Sequence, residues 1–542
     1  VAVAAPLTGP MRPRLALVAA LVLLNASLTF VNVWPTPAVT WHGQLSVELA
    51  ATLILLVAWR ASGRVPGTGV RRLLVVVWLA LAIGRYAFVT SPALWGRELN
   101  FYWDLRFLPD VLSMLAHAAA PWMVAGAAAM IVALIVLAAR IVRWAFDAID
   151  RRLAFDRERR WIGGFAAVLI VGFVMQRTMF PADGPRPFAD PVSAGYAHQA
   201  RFIAKAMAGS QTLPASPSFA SDLSRLHNGD VLLFFVESYG AVAFERPEFA
   251  AQLSARRALF EAAIHDSGHD VVSAFVTSPT FGGSSWFAHI TLMSGLPVSD
   301  PDTNALLMTE KRETLPATMA RRGYRSIAMM PGLWTPWPEG AFYGFHDIYN
   351  GPRMNYRGPS FGWWDMPDQF TLARLDAAER DRPMRPPLFV FFPTVSTHTP
   401  FSPVAPYQPD WPRLLTDRPF DDAELERAYD ADIDWTNLGP GYARAMNYAY
   451  QSLAGYLEKH RDEPFVMIVI GDHQPPALVS GEGAPWDVPV HVITNNVDVL
   501  DRLKAHGLTA GVTPQRPALG PMEALLPMLL DAFGEPERRN AD

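Results

Sequence analysis

Three stretches of this chain set acidic and imidazole groups directly behind apolar runs. FFVESYG ends one run in Glu237 and Ser238, VMIVIGDHQPP ends another in Asp472 and His473, and FVFFPTVSTH leads a third into His398. One carboxylate with an adjacent Asp-His pair is a mixed oxygen and nitrogen donor set, of the kind that holds zinc or manganese. A bare DH dipeptide is met by chance in many proteins. Its weight comes from its place behind one apolar strand, with Glu237 in the same place behind another. Glu237 as an ordinary solvated residue after a strand is the plainer alternative, and the other two strand ends count against it.

A fourth stretch, TFGGSSWFAHITLMSGLP (280–297), supplies hydroxyls. Two glycines make a turn, Ser284 and Ser285 follow, and an apolar helix ends at Gly295. A hydroxyl at a helix N-terminus faces free backbone N–H groups and the positive end of the dipole, which favour a phosphate or oxyanion there. Either serine could instead be a simple N-cap, and one can serve each purpose. His289 lies four residues after Ser285 on the same helix face, where a core or supporting role is the plainer one. His265 and His269 precede a strand and are expected to be solvated.

The elements that must position these groups follow from the hydrophobic pattern beyond residue 229. Short apolar strands are predicted at 231–236, 271–276, 326–329, 388–392, 465–470 and 488–493. Helical runs fall near 285–295, 315–322, 366–378, 440–460 and 518–533. Near-continuous apolar strands alternating with helices indicate an α/β fold with a buried, mostly parallel sheet flanked by helices. Ligands in such folds sit beyond the carboxyl ends of the strands.

The chain has 542 residues, 51% of them hydrophobic, and is rich in Pro and Gly. That is too long for one ordinary core and fits a membrane part joined to a loop-rich domain. Its net charge of −5 gives no basic field for nucleic acid, and with no cysteine it has neither disulfides nor thiolate metal sites. Apolar runs at 13–33, 44–62, 72–92, 119–141 and 161–180 are each near the ~20 residues that cross a bilayer, so 1–180 is expected to be a five-helix transmembrane bundle. Arg12, Arg14, Arg60, Arg64, Arg71, Arg72 and the arginines between 140 and 160 fall on alternate loops. The positive-inside rule then puts the N-terminus in the cytoplasm and everything after 180 outside. The loop 98–110, ELNFYWDLRFLPD, is expected to be an interfacial aromatic belt, with contact to a lipid substrate as the sharper alternative. Residues 181–228 form a proline-rich linker wrapping the next domain, with an amphipathic juxtamembrane helix at 197–208. Residues 229–542 are expected to form the domain that carries these groups.

FFVESYG, GGSSW with SGLP, TVSTHTPF and VIGDHQPP stand in the order and approximate spacing of the alkaline phosphatase and sulfatase superfamily. With five spans in front, the chain resembles its lipoteichoic-acid synthase and phosphoglycerol-transferase membrane branch. The resemblance implies one divalent metal, commonly manganese with zinc or magnesium possible, bound by Glu237, Ser285, Asp472 and His473, and a substrate-facing His398. Relatives place the nucleophilic hydroxyl ten residues before the glycine aligned with Gly295, which selects Ser285; Ser284 stays open as the alternative. Many relatives have Thr there, and Ser keeps the hydroxyl.

The implied activity is transfer of a lipid head group, phosphoglycerol from phosphatidylglycerol first, through a Ser-linked intermediate to an envelope glycan or lipid acceptor. The implied place is the inner or plasma membrane, with the catalytic domain periplasmic or extracellular. A phosphate or sulfate ester hydrolase and a phosphoethanolamine transferase are the alternatives. Ser285 lacks the Pro and Arg of the sulfatase formylglycine motif, and phosphoethanolamine transferases usually carry disulfides. A metal-free scaffold is disfavoured because every expected polar group is present. The aromatic segment 330–351 aligns with a substrate-contacting loop of relatives but offers no clear recognition arginine.

Overall fold

The computed structural model describes residues 11–33, 36–95, 99, 101–104, 121–179, 186–207, 213–334, 337, 339–362, 364–431 and 433–536. Most of the expected aromatic belt at 98–110 lies outside the described residues. The chain divides into two compact units, 1–93 with 98–210, and 94–97 with 211–542.

In the first unit, helices α1 (Met11–Thr29), α2 (Val47–Ala61), α3 (Thr68–Trp95), α4 (Pro121–Leu153) and α5 (Asp156–Met179) fall on the five apolar runs. Five spans were expected, but among the described residues only three helices are long and apolar enough to cross a membrane: Thr68–Leu94, Trp122–Leu153 and Asp156–Thr178. The first run is cut at Thr29, where strand β1 (Phe30–Asn32) begins and pairs with β2 (Val39–Trp41) in a hairpin. The second is capped at Ser46, whose side chain accepts from the Leu49 N–H, and ends at Ala61 after 15 residues. At ~1.5 Å per residue such a helix falls short of a ~30 Å hydrocarbon core. On α4 the side chains of Met130, Ile131, Val132 and Leu134 are all exposed, an apolar surface that needs lipid rather than water around it.

The two ends of this unit differ in chemistry. At one end Arg60 Nε meets Asp150 Oδ1 at 2.7 Å, and Arg71 meets Asp147 at 3.2 Å and Asp150 at 3.0 Å. At the other end the Leu45 N–H donates to the Pro187 carbonyl and the Ala189 N–H to that of Leu45. Helix α6 (Val192–Met207) packs on α3. A Cβ on Gly84 would sit 2.5 Å from the Tyr196 hydroxyl, and one on Gly195 would sit 2.6 Å from the Phe88 ring. The segment 192–207 lies within the first unit, where two glycines let the helices approach closely.

The second unit is a three-layer α/β structure. Its strands are β3 (Asp230–Val236), β4 (Asp270–Thr277), β5 (Arg325–Met330), β6 (Asp347–Asn350), β7 (Leu388–Pro393), β8 (Phe465–Gly471), β9 (Asp487–Thr494) and β10 (Thr509–Ala510), in the order β10-β4-β9-β8-β3-β7-β5-β6. The run β8-β3-β7-β5-β6 is parallel throughout, while β9, β4 and β10 are attached antiparallel. Six of these strands fall where apolar runs were predicted; β6 and β10 are short edge strands with too few residues to leave a pattern. Alternation along β3 splits the core, with Leu232, Phe234 and Val236 facing one layer and Val231, Leu233 and Phe235 the other. Helices α7 (Pro247–Asp266) and α10 (Gly439–Lys459) cover the first face, and α8 (Ser285–Ser294) and α11 (Leu525–Phe533) the second; α9 (Asp368–Leu375) packs with the first. Helix α7 was not predicted, although its buried Phe249, Leu253, Phe260 and Ile264 keep a helical spacing.

Candidate active site

β3 lies between β7 and β8, with Phe235 opposite Pro393 and Val236 opposite Gly471. Three parallel strands in this register end together, so Glu237, the loop from Thr394 to His398, and Asp472-His473 emerge at one edge of the sheet. The strand ends touch closely: a Cβ on Gly471 would lie 1.8 Å from the Tyr239 carbonyl oxygen, so only glycine fits there. Asp472 Oδ1 accepts from the backbone N–H of Ser238 at 2.8 Å and from its neighbour His473 at 2.6 Å, binding the β3 and β8 ends together.

Glu237, Asp472 and His473 are buried, and one ligand atom from each lies within 4.8 Å of the others. Ser285 opens α8 and joins them: its hydroxyl donates to Glu237 Oε2 at 2.8 Å and lies 3.1 Å from His473 Nε2. The His473 Nδ1–H donates to the Gln474 carbonyl at 2.7 Å, which turns the Nε2 lone pair toward the site. Ser284 stands apart. It occupies the N-cap position with φ of 63°, in the left-handed region, and its side chain makes no capping bond. The expectation that one serine caps the helix is therefore not met at Ser284.

The electrostatics are those of a site built for a cation. Burial acting alone would raise the Glu237 carboxyl, but the charges of His473 and His398 and hydrogen bonds from Asp472 and Ser285 hold it at about 2. Asp472 is pushed well above the usual carboxylate range by burial and by the neighbouring Glu237 charge. Burial lowers His473, while the Glu237 charge pulls the other way. The two carboxylates thus face each other with one held down and one pushed up, beside an imidazole whose Nε2 faces the Ser285 hydroxyl. Such a donor set suits one divalent ion, whose charge would favour the ionised form of both.

His398 follows β7 on a loop held by buried Asp368, the first residue of α9. Asp368 Oδ1 accepts from the Val395 N–H at 2.7 Å, Oδ2 accepts from the Ser396 N–H at 3.1 Å, and the Ser396 hydroxyl accepts from the Asp368 N–H. The Thr397 hydroxyl donates to the Glu237 carbonyl at 2.6 Å, tying the loop to β3. His398 Nδ1 donates to the Thr399 carbonyl at 2.7 Å, and the ring packs edge-on to Trp364 in a small pocket with Phe361 and Pro400. Asp368 and Thr397 were not singled out from sequence, and Ser238 was named there only as the neighbour of Glu237. Their roles are contacts across strands, and the only local signal is the position of Asp368 in the first turn of a helix.

Asp368 offers a direct check on this bracing. Burial raises its carboxyl to about 6 against the lowering effect of the loop N–H bonds. Because that value lies above the one for an exposed Asp, its stabilising contribution is complete below about pH 4 and is lost as pH rises through about 6. Relative to Asp368→Asn, the wild-type chain is expected to lose up to about 3 kcal/mol of stability across that range. Melting curves of both in detergent at pH 4 and pH 7 measure it, and a difference in Tm that does not change with pH would contradict the assignment.

The remaining candidates fall outside the cluster. His289 is wedged between Phe235 and Phe391, with ring centroids at 4.6 and 5.3 Å, and burial pushes it down to about 3. His265 pairs with Asp270 at 3.2 Å on the surface. His269, expected to be solvated, is buried with its ring stacked on Phe465 at 4.3 Å, because β8 lies beside the chain where β4 begins. In the aromatic segment, Asp347–Asn350 becomes edge strand β6, and the arginine that follows it, Arg353, is paired with Asp347.

A parallel-centred α/β sheet gathers acid, imidazole and hydroxyl groups at its carboxyl edge, a donor set that could hold one divalent ion beside a hydroxyl. Residues 291–491 match the sulfatase family model. The match includes His398, Asp472 and His473 and begins after Glu237 and Ser285. Among curated proteins no match was found. Solved structures give distant likenesses. One is the lipoteichoic acid synthase LtaP from Listeria monocytogenes (12% identity, 54% of this chain and 71% of that one, TM-score 0.35). Another is the phosphoglycerol transferase GacH of Streptococcus pyogenes (13%, 63% and 81%, 0.36). A third is the lipooligosaccharide phosphoethanolamine transferase EptA from Neisseria meningitidis (13%, 91% and 89%, 0.44).

Proposed function

We infer that this chain is a membrane-anchored, metal-dependent transferase that moves the head group of a membrane lipid, phosphoglycerol from phosphatidylglycerol in the first instance, to an envelope glycan or lipid acceptor. The supporting observation is the Ser285 hydroxyl at a helix N-terminus, within hydrogen-bond distance of both Glu237 and His473. Ser285 Oγ, its proton already lost to solvent, attacks the phosphorus of the lipid phosphodiester as the alkoxide. The bond to the diacylglycerol oxygen breaks, phosphoglycerol remains esterified to Ser285, and the second step releases Ser285 again as the alkoxide. His398 gives a proton to the leaving oxygen; it then takes one from the acceptor hydroxyl, whose oxygen displaces Ser285. Backbone N–H groups at the start of α8 face the phosphoryl oxygens. One divalent ion, manganese first with zinc or magnesium as alternatives, would be held by Glu237, Ser285, Asp472 and His473, and when bound would acidify the Ser285 hydroxyl and offset charge on the phosphoryl oxygens.

The test is mass spectrometry of the Ser285 peptide after incubation with head-group-labelled phosphatidylglycerol. A phosphoglycerol adduct with release of diacylglycerol is expected; neither appearing would overturn the proposal. A second reading, favoured by the family match over 291–491, is a phosphate or sulfate ester hydrolase in which water takes the second step. Free labelled phosphoglycerol without labelled glycan or lipid would select it, and labelled phosphatidylethanolamine distinguishes a phosphoethanolamine transferase.

The same proposal puts the N-terminus in the cytoplasm and the catalytic domain outside. The arginines that carry this orientation include Arg60 and Arg71, both held at one end of the first unit by Asp150. A C-terminal reporter active only outside the cytoplasm should work and one active only inside should be silent. Strong signal from the cytoplasmic reporter would refute the orientation.

A further inference from the structure

At the end of the first unit opposite the Arg60–Asp150 pair is a cavity of about 470 Å³, a volume within the range of small-molecule sites. Its walls come from α3, the end of α5 and the start of α6. Phe88, Val89 and Pro92 make them apolar, while Arg85, Arg177 and His198 bring polar tips to the same space. Arg85 is only 7% exposed, yet it stands inside the apolar span Thr68–Leu94. An ionisable side chain within a membrane helix is costly and marks a ligand or ion site more often than packing. Its Nε donates to the Phe30 carbonyl at 2.7 Å and its Nη1 to the Asp190 carbonyl at 3.2 Å, which hold the guanidinium at the cavity wall. Arg177 reaches Asp190 Oδ1 at a long 3.4 Å, and Arg186 shares that carboxylate at 3.5 Å. Two arginines and one aspartate line the cavity, so positive charge exceeds negative among its acidic and guanidinium groups.

Guanidinium groups bind phosphate with paired N–H donors, and basic pockets between membrane helices take up anionic head groups. Apolar walls beside such a pair match the glycerol and acyl part of the same molecule. We propose that this cavity binds an anionic phospholipid, with Arg85 and Arg177 meeting its phosphate and Phe88, Val89 and Pro92 meeting the first carbons of its chains. The proposal rests on the membrane placement of the first unit and is independent of the chemistry at Ser285.

The experiment uses the full chain in detergent, with native mass spectrometry after addition of dioleoylphosphatidylglycerol or dioleoylphosphatidylcholine. The wild type is expected to retain phosphatidylglycerol at least about tenfold better than phosphatidylcholine. Arg177→Gln, which leaves the Arg85 brace in place, should lose most of that preference. Val89→Trp, which fills the cavity and keeps every charge, should lose retention of both lipids. Equal retention by wild type and both variants would overturn the proposal. So would displacement of bound lipid by sn-glycerol 3-phosphate at equal concentration, since that outcome assigns the site to a free phosphate. Ser285→Ala should retain phosphatidylglycerol like the wild type. Arg177-dependent retention without any Ser285 adduct would sink the transferase proposal alone; an adduct without such retention would sink this one alone.

Discussion

Ser285→Ala is expected to lower turnover by on the order of 10³-fold or more, about 4 kcal/mol of barrier, and to remove the covalent adduct. The hydroxyl at this position is the one that meets Glu237 Oε2 and His473 Nε2, and alanine offers no oxygen to attack phosphorus. Ser285→Thr should keep measurable activity, because the oxygen stays and one methyl is added at a half-buried position. Ser284→Ala is the control. A serine that capped α8 would cost about 0.5–2 kcal/mol when removed. Ser284 makes no capping bond, and alanine tolerates its left-handed backbone no worse than serine does, so stability and turnover should stay close to wild type. Steady-state kinetics on the three variants decide the matter. An inactive Ser284→Ala with an active Ser285→Ala would move the nucleophile to Ser284.

Asp472→Ala should take the metal content, measured by elemental analysis of the purified chain, from about one ion to nearly none. It also strands the Ser238 and His473 N–H groups that Oδ1 now accepts, at a cost of about 1–3 kcal/mol. Asp472→Asn separates the two effects, since an amide oxygen can still accept while the charge is gone. It should weaken metal binding at least about tenfold with the melting temperature of the metal-free chain little changed. Unchanged metal in both variants would refute the ligand assignment. The pH dependence has a definite sign. Burial and Glu237 raise Asp472, so in the metal-free protein its favourable contribution is lost as pH rises. Metal uptake must expel that proton, so affinity and the metal-induced rise in Tm should both increase with pH. Calorimetry in two buffers of different ionisation enthalpy should register proton release on binding.

Much of this arrangement is legible in the chain itself. Apolar runs that end in Glu237, in Asp472-His473 and just before His398 are strands because they are buried on both faces, and parallel strands with a common register must end together. The Gly-Gly-Ser-Ser turn before an apolar run marks the start of α8 for similarly local reasons. The first unit was less legible. Apolar length foretold five spans, but the strand at Phe30 ends the first helix early and the second runs only from its cap at Ser46 to Ala61, and hydropathy does not register where a helix starts or stops. The burial of His269 likewise depends on Phe465, almost two hundred residues away.

What sequence by itself determined was therefore the identity of the strand ends and the residue types standing on them, since periodicity and local turn chemistry act over a few neighbours. Only the tertiary structure decided which oxygen of Asp472 accepts the Ser238 N–H, that Asp368 holds the His398 loop, that Ser285 and not Ser284 meets Glu237, and that Arg85 lines a cavity. Each of these depends on contacts between residues distant along the chain, formed by packing that no local pattern encodes.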